Sequence, residues 1–134
     1  MRIVIETIPH AHQRYPTLGD YWIDENGDWQ IRVSNMNDVR SVVAIALHEL
    51  FEMASVIYKK RDNPQEAIKA IDAFDIMFEE ERSEGKHPND AEPGYDSRSP
   101  YMEAHFSAEQ VERHFLIHTG LMWPRHEENC DNAA

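Results

Sequence analysis

The chain divides by the period of its apolar positions. Residues 2–8, RIVIETI, alternate and are rich in β-branched side chains, the pattern of a half-buried strand. A polar linker with Pro9, Pro16 and Gly19 follows. Residues 20–34, DYWIDENGDWQIRVS, read as two strands joined at Asn26-Gly27, a dipeptide that tolerates the positive φ angles of a hairpin turn. From Asp38 the period lengthens to that of a helix, capped by Asn37 or Asp38 and running to the region of Lys60. Asn63-Pro64-Gln65-Glu66 is a capping box with proline at the first helical position, and it opens a second helix that ends near Glu84, where Gly85 can terminate it.

Residues 85–100, GKHPNDAEPGYDSRSP, read as a long loop of the length that tends to be functional. Ser99-Pro100 opens a third helix over 101–118, closed by Gly120, and Ser107–Gln110 offers a second capping box that can break it near 106. The expected fold is α+β, with a small N-terminal antiparallel sheet of three strands packed on three main helices. Residues 1–124 form its single domain and 125–134 a polar, frayed tail.

Composition narrows the function. The 134 residues suit one domain, and Lys plus Arg number 13 against 25 Asp plus Glu, a formal charge of −12. So acidic a surface repels phosphate backbones and anionic membranes, so no direct nucleic-acid binding and no membrane docking are expected. An acidic decoy that fills another protein's DNA-binding groove stays compatible with that charge. The single cysteine, Cys130, excludes an internal disulfide or a Cys-based zinc site and suits a reducing compartment. The N-terminus is too short and polar for a signal peptide and no apolar run approaches a membrane span, so the expected location is cytoplasmic.

The chemistry concentrates in VVAIALHELFEMASVIY, residues 42–58. On a helical wheel Val39, Val43, Leu47, Leu50, Phe51, Ala54 and Ile57 make the main apolar face. His48 and Glu52, at i and i+4, lie on the other side with Glu49 beside them, in a stripe continued by Ile45 and Val56. A helix apolar almost all round is a buried helix, and ionisable groups on it must be paired, neutralised or bound to metal. One reading is an ion-pair network. The other is a metal site in which His48 and Glu52 are ligands and Glu49 holds a water, the arrangement that underlies HExxH.

Strand, loop and a helix carrying AIALHELFE resemble the core of the zincin-like metallopeptidases over roughly residues 20–80, with HExxE in place of HExxH. The stretches RYPTLGDYW, HELFE, DAFD and PYMEAH are also similar to small uncharacterised bacteriophage-encoded proteins, which implies the cytoplasm of a bacterial host. Catalytic zinc normally takes three protein ligands, so others are needed. The second helix offers Asp72, Asp75 and Glu79 on one stripe. Gluzincins carry an acidic third ligand on the helix after HExxH, and Asp75, nearest the apolar boundary, resembles that placement. The third helix offers His105, with Glu109 and Glu112 on the same side. His105 is preferred to His114 and His118 because it follows the long loop, and His10, His12, His87 and His126 are expected in solvent.

The composite site is His48, Glu52, Asp75 and His105 as ligands, with Glu49 as general base and Asp72, Glu79 and Glu109 as supporting or alternative ligands. Such a nitrogen and oxygen set suits Zn²⁺ first, then Mn²⁺ or Fe²⁺. The leading expectation is a metal-dependent, zincin-like peptidase acting on a peptide or protein, aligned by strand addition along Gln30–Ser34. One alternative is an acidic, non-enzymatic binding protein or DNA mimic with a structural metal or ion-pair cluster. Another rests on Glu49-x-x-Glu52 and Asp72-x-x-Asp75, which resemble the Mg²⁺ sites of MazG-type nucleotide pyrophosphohydrolases. Trp22, Trp29 and Trp123 leave room for an apolar contact surface and a homodimer.

Overall fold

The computed structural model describes residues 1–60 and 62–134. Three strands, β1 (Ile3–Ile8), β2 (Gly19–Ile23) and β3 (Trp29–Ser34), precede four helices, α1 (Val39–Lys59), α2 (Pro64–Ser83), α3 (Met102–Thr119) and α4 (Trp123–Ala133). The fold is α+β, and the sheet is mixed rather than antiparallel. Its order is β1-β3-β2, with β3 antiparallel to β2 but parallel to β1. The linker 9–18 does not close a hairpin. It spans the end of β3, with Ser34 N–H donating to Leu18 and Asn35 N–H to Ile8, so β3 slots between the two earlier strands.

Register puts Ile5, Ile31 and Tyr21 on one face, which the helices cover over β2 and β3. Ile31, Val33, Met53, Phe78 and Leu116 are fully buried under them. Asp38 caps α1 by accepting from Arg40 N–H, and Asn63 caps α2 by accepting from Glu66 N–H, as their sequences require. Gly27 and Gly120 take the left-handed conformation (φ 79° and 78°) that ends a turn and a helix. α3 passes Ser107 without a break.

Two further expectations change. The tail expected from 125 onward belongs to a docked helix, α4, because His126 and Asn129 at i and i+3 give it a buried face beneath its polar composition. α1 is long and apolar enough to cross a membrane by length and composition, contrary to the reading that no run approaches a span. Here it lies against the sheet, α2 and α3 and carries His48, Glu49 and Glu52 at its centre.

Candidate metal centre

The buried side of α1 is its polar side. Ser41, His48 and Glu52 are buried there with Ala44, Ile45, Met53 and Val56, while the face expected to seek the core is half-open and Val39 is 71% exposed. The helix is oriented by the partners that meet its polar stripe. Glu112 and His105 approach from α3, and the Tyr21 hydroxyl of β2 donates to Glu52 Oε1 at 2.8 Å.

Three side chains converge. His48 Nε2 lies 3.2 Å from Glu52 Oε2 and 3.2 Å from His105 Nδ1, and His105 Nδ1 lies 2.9 Å from Glu52 Oε2. Together they form a group that could hold a metal ion. The spacing suits that role: ligands about 2.0–2.1 Å from an ion have edges of about 3.0 Å in an octahedron and about 3.4 Å in a tetrahedron.

The outer nitrogens set the chemistry of the inner ones. His48 Nδ1 is 2.8 Å from Glu112 Oε1, and His105 Nε2 is 3.2 Å from Glu92 Oε2. An ionised carboxylate only accepts, so each outer nitrogen carries a hydrogen and donates it. In the neutral rings the two inner nitrogens are then bare lone pairs, turned toward each other and toward the Glu52 carboxylate. Such a constellation could hold a cation. Behind His48 the chain of contacts continues into α4: Glu112 Oε2 accepts from His126 Nε2 at 2.6 Å, and His126 Nδ1 lies 2.9 Å from Ser41 Oγ. Ser41 Oγ also accepts from Asn129 at 3.0 Å. His126 is 1% exposed, so its expected place in solvent is wrong.

Without a metal, protons supply the positive charge. Burial opposes charge on His48, but its hydrogen bonds to Glu112 and Glu52 outweigh burial and raise its pKa to about 11. His105 is raised to about 9 on the same balance, by Glu52 and Glu92 against burial. Glu52 is lowered: burial would raise it, but hydrogen bonds from His105 and His48 win. A metal must displace both imidazole protons below pH 9, so affinity should climb by about two decades per pH unit from pH 6 to 8, and by less above pH 9. Titration with a chelating indicator at several pH values measures this. A pH-independent affinity would mean that the imidazoles are not the ligands.

The group opens into a cleft of about 810 Å³, bordered by Gly19, Asp20 and Tyr21 of β2 and by residues 89–95 of the long loop. Glu49 lines this cleft, half-buried, and among the described residues nothing hydrogen-bonds its carboxylate. Burial, then the charge of Glu52, push its pKa up to about 8 against the pull of His48. Its side chain rests on the bare Cα of Gly19, where an added Cβ would lie 2.5 Å from Glu49 Oε1. Gly94 does the same for His105, with a Cβ there falling 2.5–2.6 Å from three ring atoms. The ring cannot yield as a flexible chain end would, so Gly94→Ala should push His105 off the site. Metal affinity is expected to fall on the order of 10–100-fold with helical content unchanged, measured by indicator competition and circular dichroism.

The other candidates stand apart. Asp75 is buried beside α3, but Tyr101 donates to Oδ1 at 2.6 Å and Tyr15 to Oδ2 at 3.2 Å, and it lies outside the three-residue group. Asp72 pairs with Arg14, Glu79 with Arg82, and Glu109 accepts from the Tyr95 hydroxyl. His114 and His118 are exposed on α3. His10 bonds Ser34, and His87 stacks on Phe78 at 4.1 Å while bonding Glu81. β3 is paired on both sides, so Gln30–Ser34 has no edge to offer a substrate; the edge beside the cleft is β2. Glu92, Tyr21 and Ser41 were not nominated from sequence.

No protein-family model, curated protein or solved structure matches this chain.

Proposed function

We propose that the protein is a metal-dependent hydrolase, most simply a peptidase, with His48, Glu52 and His105 as ligands and Glu49 as general base. The observation that carries this reading is the convergence of two imidazole nitrogens and one carboxylate oxygen at 2.9–3.2 Å on the wall of a cleft. Two histidines and a carboxylate are a ligand set used by catalytic zinc, and three protein ligands leave a position open where four would close the site. The departure from HExxH loses weight on this count. Glu52 stands where the motif has its second His, and His105 supplies the imidazole in place of the acidic third ligand, so the set is again two His and one Glu. Zn²⁺ fits it, and Mn²⁺ or Fe²⁺ would also be held.

A bound divalent ion would supply Lewis acidity and a water of lowered pKa. Glu49, on the turn between the two helical ligands and without a hydrogen-bond partner among the described residues, would serve as the base that accepts a proton from such a water and returns it to the leaving amine. The free edge of β2 can align an extended peptide by adding a strand alongside the cleft.

The test is elemental analysis of the purified chain beside His48→Ala, Glu52→Ala and His105→Ala, followed by assay on a labelled, unfolded protein substrate with and without chelator. One ion per chain, lost in all three variants, with chelator-sensitive cleavage, is the expected result. No binding of Zn²⁺, Mn²⁺ or Fe²⁺ would end the reading. A tightly bound ion without cleavage would make the site structural and return the acidic binding module to the front.

A further inference from the structure

The tryptophans that sequence offered as a contact surface are covered. The guanidinium groups of Arg14 and Arg32 pack on the Trp22 ring at 4.5 and 4.9 Å, Arg113 stacks on Trp123 at 3.7 Å, and Trp29 packs on the core. The bare feature is the outer edge of β1. Among the described residues β3 is its one sheet neighbour. Ile3 and Ile5 share the core face with Trp29 and Ile31, yet they are 48% and 47% exposed because the helical layer sits over β2 and β3 and stops short of them. An apolar edge with no proline and no bulge is open to another strand.

We infer that a second copy of this chain covers it, β1 pairing antiparallel with the β1 of its partner about a two-fold axis through Val4. Backbone direction permits this register. The carbonyls of Arg2 and Ile8 accept from Trp29 and Asn35 of the same chain, so even-numbered residues of β1 turn their backbone toward β3. Ile3 and Ile5 therefore turn N–H and C=O outward, as alternation along a strand demands. Centred on Val4, Ile3 of one copy meets Ile5 of the other as a hydrogen-bonded pair, and Val4 meets Val4 as a non-hydrogen-bonded pair.

Side chains select the same register. Arg2 of one copy lies opposite Glu6 of the other on both sides of the axis, and the four isoleucines form one cluster on the core face. Shifting by two residues either way sets Arg2 or Glu6 against Val4 and strips Ile5 or Ile3 of its mate. The pairing segment is neutral, one Arg against one Glu, in a chain of charge −12. A two-fold axis perpendicular to the sheet keeps both helical layers on one side and makes a continuous sheet β2-β3-β1-β1-β3-β2. Both β2 edges, and with them both clefts, stay open at its ends.

So small a contact implies dissociation in the micromolar range. Sedimentation of the wild type should show a monomer passing to a dimer as concentration rises to about 100 μM, and the Ile3 and Ile5 amides should gain exchange protection over the same range. Cysteines read the register, in a Cys130→Ser background. Val4→Cys should oxidise to a covalent dimer, because facing residues of a non-hydrogen-bonded pair lie within disulfide reach. Arg2→Cys and Glu6→Cys should each form no covalent dimer alone and cross-link when mixed. A wild type that stays monomeric throughout overturns the inference. So does a dimer whose Ile3 and Ile5 amides are unprotected, or one in which Val4→Cys fails to cross-link.

Discussion

Glu49→Gln should keep its metal and lose turnover by about 10²–10⁴-fold, the range that a positioned general base contributes. The substitution is close to isosteric and removes the ability to take a proton. It should be structurally silent, because no described residue hydrogen-bonds the Glu49 carboxylate and its side chain leans on the open Cα of Gly19. It also removes a negative charge that raises the pKa of His48. Metal should therefore still bind, with an affinity altered far less than by loss of a ligand. In the metal-free protein Glu49 titrates at about 8, held up first by burial and then by the charge of Glu52. A cation between His48, Glu52 and His105 would oppose both effects and bring the carboxylate down into its ionised, basic form at neutral pH. The limb of the pH–rate profile that rises with pH should thus fall below 8 in the loaded protein. It should be missing from the residual activity of Glu49→Gln. Full turnover by that variant, with the ion in place, would remove Glu49 from the mechanism.

What could be read beforehand depended on whether the information is local. The change of period at Asp38, the Asn63-Pro64 cap and Gly120 are short-range signals, and each helix begins or ends where they stand. Strand pairing is not local. The alternation in RIVIETI marks a strand but says nothing of its direction, and the parallel pairing of β1 with β3 follows from how residues 9–18 cross the sheet. The polar composition of α4 masks it, although Met122-Trp123-Pro124 carries the proline of a helix start and His126 and Asn129 share a face.

The site shows the same division. His48 and Glu52 are one turn apart on one helix, so their meeting is written in the spacing. His105 comes from 53 positions beyond Glu52. Its sequence signal is its place just after the long loop, and that loop delivers both Gly94 against its ring and Glu92 onto its Nε2. Asp75 was favoured by analogy with the helix after HExxH, but Tyr101 and Tyr15 already occupy its two oxygens. The wheel erred in sign. Counting apolar residues takes the larger apolar face as the inner one, but a buried polar stripe with partners on a facing helix can reverse that order. Here the partners are Glu112 and His105, visible only once α3 lies on α1.

Glu112 therefore carries the second large effect. Both of its oxygens are engaged inside the protein, one by His48 and one by His126, with every side chain in the chain of contacts buried. Its pKa is lowered even though burial pushes upward, because the two imidazole donors outweigh burial. Glu112→Ala leaves both donors without an acceptor in a dry site, a loss that typically costs about 3–5 kcal/mol, and urea unfolding of the metal-free protein should report it. Glu112→Gln separates the structural from the chemical role. An amide has one acceptor and one donor end, so it cannot accept from both imidazoles. His126 can adjust by moving its proton to Nδ1 and donating to Ser41 Oγ, which preserves the fold. His48 then loses its ionised partner, and with it the charge that fixes its Nδ1–H tautomer and makes Nε2 a strong donor to the metal. Affinity should drop by about 10–100-fold while the unfolding midpoint moves far less than in Glu112→Ala. If Glu112→Gln bound metal as tightly as the wild type, the buried relay would be packing alone, and the orientation of His48 would have to come from α1.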